Sequence, residues 1–137
     1  MQLVGGNTDP RIAYCHMKLY PFVRQIFGRH VDNGHGDVTP RRVSAVYYFY
    51  GKPRRFDGGA LYLYDEIQSD GGRQVGPTCT AIEPLDNSIV FFPSSVTHEV
   101  EPVRHHDDDF ASSRFTITFW CRESDEPVPN PVAPLTE

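Results

Sequence analysis

The sequence predicts an all-β domain of the jelly-roll or small-barrel kind. Three observations carry this expectation. Short β-branched and aromatic runs recur along the chain, Gly, Pro, Asn and Asp clusters separate them, and no stretch has convincing helical periodicity.

Eight runs qualify as strands, at 17–23, 25–30, 42–50, 60–64, 78–83, 88–92, 97–100 and 114–121. Leu19, Tyr20, Phe22 and Val23 mark the first, and Ile26 and Phe27 lead the second into a polar loop. The third is apolar or aromatic almost throughout, as expected of a strand covered on both faces and placed at the centre. Gly58-Gly59 offers positive φ just ahead of the fourth, Leu61-Tyr62-Leu63-Tyr64. Thr78, Thr80 and Ile82 supply β-branched positions to the fifth, and Leu85-Asp86-Asn87 is a tight turn into the sixth, Ile89-Val90-Phe91-Phe92. The seventh begins beside His98, and the eighth alternates Phe115, Ile117 and Phe119 with polar residues. From Glu123 the chain is Pro-rich without strand pattern, which predicts an extended tail dispensable for chemistry.

A chain of 137 residues is about one domain, and 39% hydrophobic with 23% charged residues is ordinary for a folded soluble protein. The net charge of -5, from 18 acidic and 13 basic residues, argues against a nucleic-acid partner, because that affinity comes mainly from Lys and Arg. Cys15, Cys79 and Cys121 are odd in number and lack a CxxC pair, so neither a disulfide framework nor a thiolate zinc site is encoded. They read as reduced thiols, with Cys79 and Cys121 as small buried hydrophobes. With no apolar run near the length of a membrane span and no signal-peptide pattern, the expected location is the cytoplasm, away from membranes.

The informative stretch is Arg29-His30-Val31-Asp32-Asn33-Gly34-His35-Gly36-Asp37, which contains His-x-Asp twice. In an extended chain residues i and i+2 share a side, so His30 and Asp32 can offer a nitrogen and a carboxylate oxygen to one ion. His35 and Asp37 fit the same pattern, but their Gly-rich flanks favour a loop. His98 is the candidate third ligand. Two His and one carboxylate leave about three positions of an octahedral ion open, the arrangement of non-heme Fe(II) oxygenases rather than of a closed zinc site. Farther on, Arg114-Phe115-Thr116 places a guanidinium and a hydroxyl on one strand face, where they can bind a carboxylate of a diacid cosubstrate.

The ordered set His30-x-Asp32, Tyr47-Tyr48-Phe49, Phe56-Asp57-Gly58-Gly59-Ala60-Leu61-Tyr62-Leu63-Tyr64, Asn87-Ser88-Ile89-Val90-Phe91-Phe92, His98-Glu99-Val100 and Arg114-x-Thr116 resembles the prolyl 4-hydroxylase-like 2-oxoglutarate/Fe(II) dioxygenases, and within them the ribosomal-protein prolyl hydroxylase-like branch with its bacterial relatives. The resemblance spans residues 25–122, leaving 1–24 as a lead-in and 123–137 as the tail. It implies a double-stranded β-helix with few or no supporting helices. It also implies Fe(II) on His30, Asp32 and His98, with Arg114 and Thr116 on the distal carboxylate of 2-oxoglutarate. O2 is the other cosubstrate, ascorbate the reductant, and a prolyl residue of a protein or peptide the favoured substrate, with small molecules as the other class. Relatives carry helices and a Tyr-containing, Gly-rich segment before His-x-Asp, whereas this chain has 29 residues there and reads Leu19-Tyr20-Pro21-Phe22-Val23-Arg24. A lead-in shortened relative to the family is therefore expected, with Tyr20 as a further candidate cosubstrate contact.

Plainer readings stand beside these. Tyr47, Tyr48 and Tyr50 either line the cosubstrate pocket, with Tyr48 the candidate, or fill the barrel. His98 could cap a turn and Arg114 could form a surface ion pair. The run from His105 to Asp109 reads as a solvated acidic loop, and His16 has no readable partner. The rival functions are a jelly-roll binding module without catalysis and an inactive truncated relative.

Overall fold

A computed structural model describes residues 12–20, 27–36, 41–107 and 109–123. They form β1 (Ile12–Tyr20), β2 (Phe27–His30), β3 (Arg41–Tyr50), β4 (Phe56–Gly58), β5 (Leu61–Ser69), β6 (Gly72–Ile82), β7 (Ser88–Pro93), β8 (His98–Val100), β9 (Val103–His105) and β10 (Arg114–Glu123). Among the described residues the one complete helical element is a 3-10 turn, Phe110–Ser112. One four-stranded sheet runs β1-β10-β3-β7, the other β2-β8-β5-β6, and β4 pairs with β9 in a two-stranded strip. All pairings are antiparallel. The architecture is the double-stranded β-helix.

Strand alternation decides what fills the space between the sheets. On β3, Ser44, Val46 and Tyr48 turn inward, and the register places them opposite Trp120, Thr118 and Thr116 of β10. Leu61 and Val100 face them from the other sheet. Tyr48, Phe56 and Leu61 are fully buried, with Ala45, Phe92 and Trp120 close behind. The outward residues of β3 are not all covered: Tyr47 and Phe49 are half-buried, and Phe49 stacks on Phe115 at a centroid distance of 5.3 Å. The strand is interior to its sheet, yet its outer face is a partly exposed aromatic surface rather than a second core.

Several sequence-based boundaries differ, for identifiable reasons. The fourth and fifth runs extend toward each other into a long β5–β6 hairpin, closed by a turn at residues 70–71 with Gly72 at φ 103°. Its arms from Asp65 onward are mostly exposed on both faces and read as loop because burial imposes no alternation there. Three-residue β4 and β9 are too short for any periodicity. Cys79, expected inside, is exposed on the edge strand β6, and Cys121 is half-buried. Residues 21–26 and 124–137 lie outside the described set, including the end of the first run and the Pro-rich tail. No helix among the described residues is long and apolar enough to cross a membrane.

Gly58 and Gly59 have φ of 75° and 80°, a region L side chains avoid. A Cβ on Gly58 would lie 2.4 Å from the Pro102 carbonyl oxygen. Gly58→Ala is expected to lower the unfolding free energy by at least about 2 kcal/mol, measured by urea unfolding against the parent chain. Gly59 matters to the site, because a Cβ there would meet Val103 at 3.0 Å and the Arg114 side chain at 3.2 Å.

Candidate functional site

Between the sheets lies a cavity lined by His30, Asp32 and His98 and also by Arg114 and Thr116. His30 ends β2 and His98 begins β8, and the two are register partners with ring centroids 4.3 Å apart. Asp32 follows β2 by two residues. Its backbone N–H donates to the Ser94 carbonyl at 2.8 Å, and its carbonyl accepts from Arg41 at 3.3 Å, which fixes the loop that carries it.

Each imidazole meets a backbone carbonyl two residues earlier: His30 Nδ1 lies 2.7 Å from the Gly28 oxygen, and His98 Nδ1 lies 2.9 Å from the Val96 oxygen. A carbonyl only accepts, so both Nδ1 atoms donate, and Nε2 is the ring nitrogen that each imidazole turns toward Asp32. Burial holds the His98 pKa below the ordinary histidine value, with the Val96 contact and the Asp32 charge acting the other way. The Nε2 atoms stand 3.8 Å (His30) and 3.7 Å (His98) from the Asp32 carboxylate, too far for hydrogen bonds.

One donor atom from each of the three residues thus lies within 4.8 Å of the others. Two ring nitrogens and a carboxylate converge with no hydrogen bond between them, an arrangement that a cation would hold together. Two imidazole nitrogens and one carboxylate are the donor set of open Fe(II) sites, so the residues present fit such an ion. The second His-x-Asp is not brought in: His35 is exposed, and Asp37 lies outside the described residues.

Along β10, Arg114, Thr116, Thr118 and Trp120 all line the cavity. Arg114 is half-buried, with its guanidinium 5.6 Å from the Tyr48 ring centre and a long 3.5 Å contact to the Gly59 carbonyl. Among the described residues no carboxylate lies within 4 Å of it, and its buried Nε has no hydrogen-bond partner. Burial lowers its pKa, but a guanidinium stays charged. A half-buried cation with an unused, buried donor suits an organic carboxylate. Tyr48, fully buried beside it, is pushed up to about 12 by burial, which the Arg114 charge opposes only in part, so its phenol stays neutral. Thr116 is buried opposite Tyr48 on β3 and opposite Tyr20 on β1.

Other residues here escape a reading of the sequence. His105 belongs to β9 and lines the cavity, while only the residues after it form the expected polar loop. Trp120 sits under Arg41, whose guanidinium lies 4.2 Å from the ring centre. Ser44 and Ser94 are fully buried against Asp32. The available signal for Ser44 is a lone hydroxyl within an apolar strand, which burial obliges to find a partner.

The family model of the 2OG-Fe(II) oxygenase superfamily matches residues 15–122. The chain is 40% identical over 94 residues to an uncharacterized PKHD-type hydroxylase of Synechocystis sp., covering 69% of this chain and 31% of that protein. It is 29% identical over 99 residues to a PKHD-type hydroxylase of Synechococcus elongatus, covering 70% of this chain and 37% of the relative. The chain therefore spans about a third of the length of these curated relatives. A crystal structure of a Pseudomonas putida prolyl-4-hydroxylase aligns with 80% of this chain and 52% of its own, at 31% sequence identity and a TM-score of 0.47. The family match runs from within β1 to within β10 and takes in both His-bearing strands and the Arg114 strand, and on it the chain belongs to the 2OG-Fe(II) oxygenase superfamily.

Proposed function

We propose that the chain is an Fe(II)- and 2-oxoglutarate-dependent dioxygenase that hydroxylates a C–H bond. The observation that carries this reading is the convergence of His30, Asp32 and His98 in a cavity whose wall holds the half-buried Arg114. His30, Asp32 and His98 would hold the metal. Bound Fe(II) would activate O2, the oxidant, with two electrons coming from decarboxylation of 2-oxoglutarate and two from the substrate, so that one oxygen atom enters the C–H bond and the other succinate, with release of CO2. The remaining work falls to the chain. Arg114, Thr116 and the neutral Tyr48 phenol hold the distal carboxylate, and Val46, Leu61, Phe92 and Val100 keep the cavity dry. The two Nδ1–H bonds to Gly28 and Val96 keep each imidazole turned toward the site.

A prolyl residue in a protein or peptide is the proposed substrate, on the resemblance in motif order to prolyl hydroxylases. The hydroxylase names of the cyanobacterial relatives support the reaction type. The test is anaerobic binding of Fe(II) and 2-oxoglutarate, then conversion of 2-oxoglutarate to succinate in air with ascorbate and no added substrate. Slow succinate release is expected, and His35→Ala should retain most of it. A chain that binds neither component, or a His35→Ala variant as inactive as His30→Ala, would overturn the assignment.

A further inference from the structure

Ser44 places a fully buried hydroxyl in the middle of β3, where it donates to Asp32 Oδ2 at 2.6 Å and lies 2.9 Å from Ser94 Oγ. An ionised carboxylate only accepts, so the single Ser44 hydrogen is committed to Asp32, and Ser94 must be the donor to Ser44. The result is a one-way chain, Ser94 to Ser44 to Asp32, ending in a short charge-assisted bond. Its anchors are equally defined. The Ser94 N–H donates to the Arg42 carbonyl at 3.0 Å, and the Ser94 carbonyl accepts from the Asp32 N–H. Ser44 lies opposite Trp120 and Phe92 in the register, within the most buried part of the sheet, so its hydroxyl has little freedom to turn elsewhere.

We propose that Ser44 is a positioning residue for the metal centre. Its hydrogen sits on Oδ2 and stops the Asp32 carboxylate from rotating, which keeps Oδ1 3.8 Å from His30 Nε2 and Oδ2 3.7 Å from His98 Nε2, so that the carboxylate faces an ion shared with both imidazoles. This inference rests on the reading of the triad as a metal site. A hydroxyl that merely satisfied a buried carboxylate would affect stability alone, whereas a positioning hydroxyl also sets metal affinity.

The experiment is an anaerobic Mn(II) titration, followed by loss of the free-ion electron paramagnetic resonance signal, on the wild-type, Ser44→Ala and Ser44→Cys chains. Thermal melting of each metal-free chain is measured alongside. Ser44→Ala is expected to raise the Mn(II) Kd by about tenfold to a hundredfold. Ser44→Cys retains only a weak donor and should fall between Ser44→Ala and the wild type. Lower melting temperatures with an unchanged Kd in the variants would overturn the role of Ser44 while leaving the metal site intact. If Ser44→Ala does not fold, Ser44→Cys decides by the same criterion. A wild-type chain that takes up no Mn(II) would overturn the metal site itself and this role with it.

Discussion

Replacing His98 or Asp32 with alanine is expected to abolish Fe(II)-dependent turnover of 2-oxoglutarate while the two sheets stay folded. The expected loss exceeds about a hundredfold, because removing a metal ligand costs more than removing a group that only orients one, for which tenfold to a hundredfold is typical. Neither residue carries much of the hydrophobic core. His98 is buried with its ring against the edge of Phe92, so its truncation opens a small cavity beside one aromatic, and Asp32 lies in a loop whose backbone bonds survive the substitution. Asp32→Asn is the cleaner companion, since the amide can still accept from Ser44 but carries no charge for a cation. The measurement pairs metal content after gel filtration with succinate production, and circular dichroism checks the fold. Full activity in His98→Ala would remove His98 from the site.

The second large effect lies on β10. Arg114→Ala is expected to raise the apparent KM for 2-oxoglutarate strongly and to leave metal affinity nearly unchanged, because the guanidinium lines the cavity but offers no lone pair to a metal ion. Losing a charge-assisted contact in a partly desolvated pocket costs about 2 to 5 kcal/mol, a weakening of order tens to thousands of fold. Arg114→Lys should recover only part of it, since an ammonium lacks the planar fork that meets a carboxylate with two parallel bonds. Titration of 2-oxoglutarate into metal-loaded parent and variant chains reads the difference. An unchanged KM in Arg114→Ala would place the diacid pocket elsewhere.

The legible parts of this molecule are those where one strand face is tied to one environment. Alternation along β10 puts Arg114 and Thr116 on a common face, and both line the cavity wall. The turn at Leu85-Asp86-Asn87 and the left-handed pair Gly58-Gly59 are legible because side-chain chemistry alone dictates them, and Asn87 does take φ 58°. What stays hidden depends on partners distant along the chain. Ser44 and Ser94 are fifty residues apart and meet only because β3 and β7 pair. His105 reads as part of a charged run, and nothing local announces that β9 pairs with β4 at the cavity rim. The β5–β6 arms are hidden for the opposite reason: with water on both faces, the sequence has no burial pattern to display.

The two halves of the site are mounted on strands of unequal security. Arg114 and Thr116 belong to β10, which is paired on both sides, whereas His30 ends the four-residue strand β2, which among the described residues pairs only with the three-residue β8. Fraying of so short a pairing costs far less free energy than opening the sheet interior. An ion gripped by His30 and Asp32 on one side and His98 on the other would act as a rivet through that pairing, and by mass action its binding energy would be added to the local opening energy of β2. Release of the ion and peeling of β2 would then be one thermodynamic event, while β10 stayed closed.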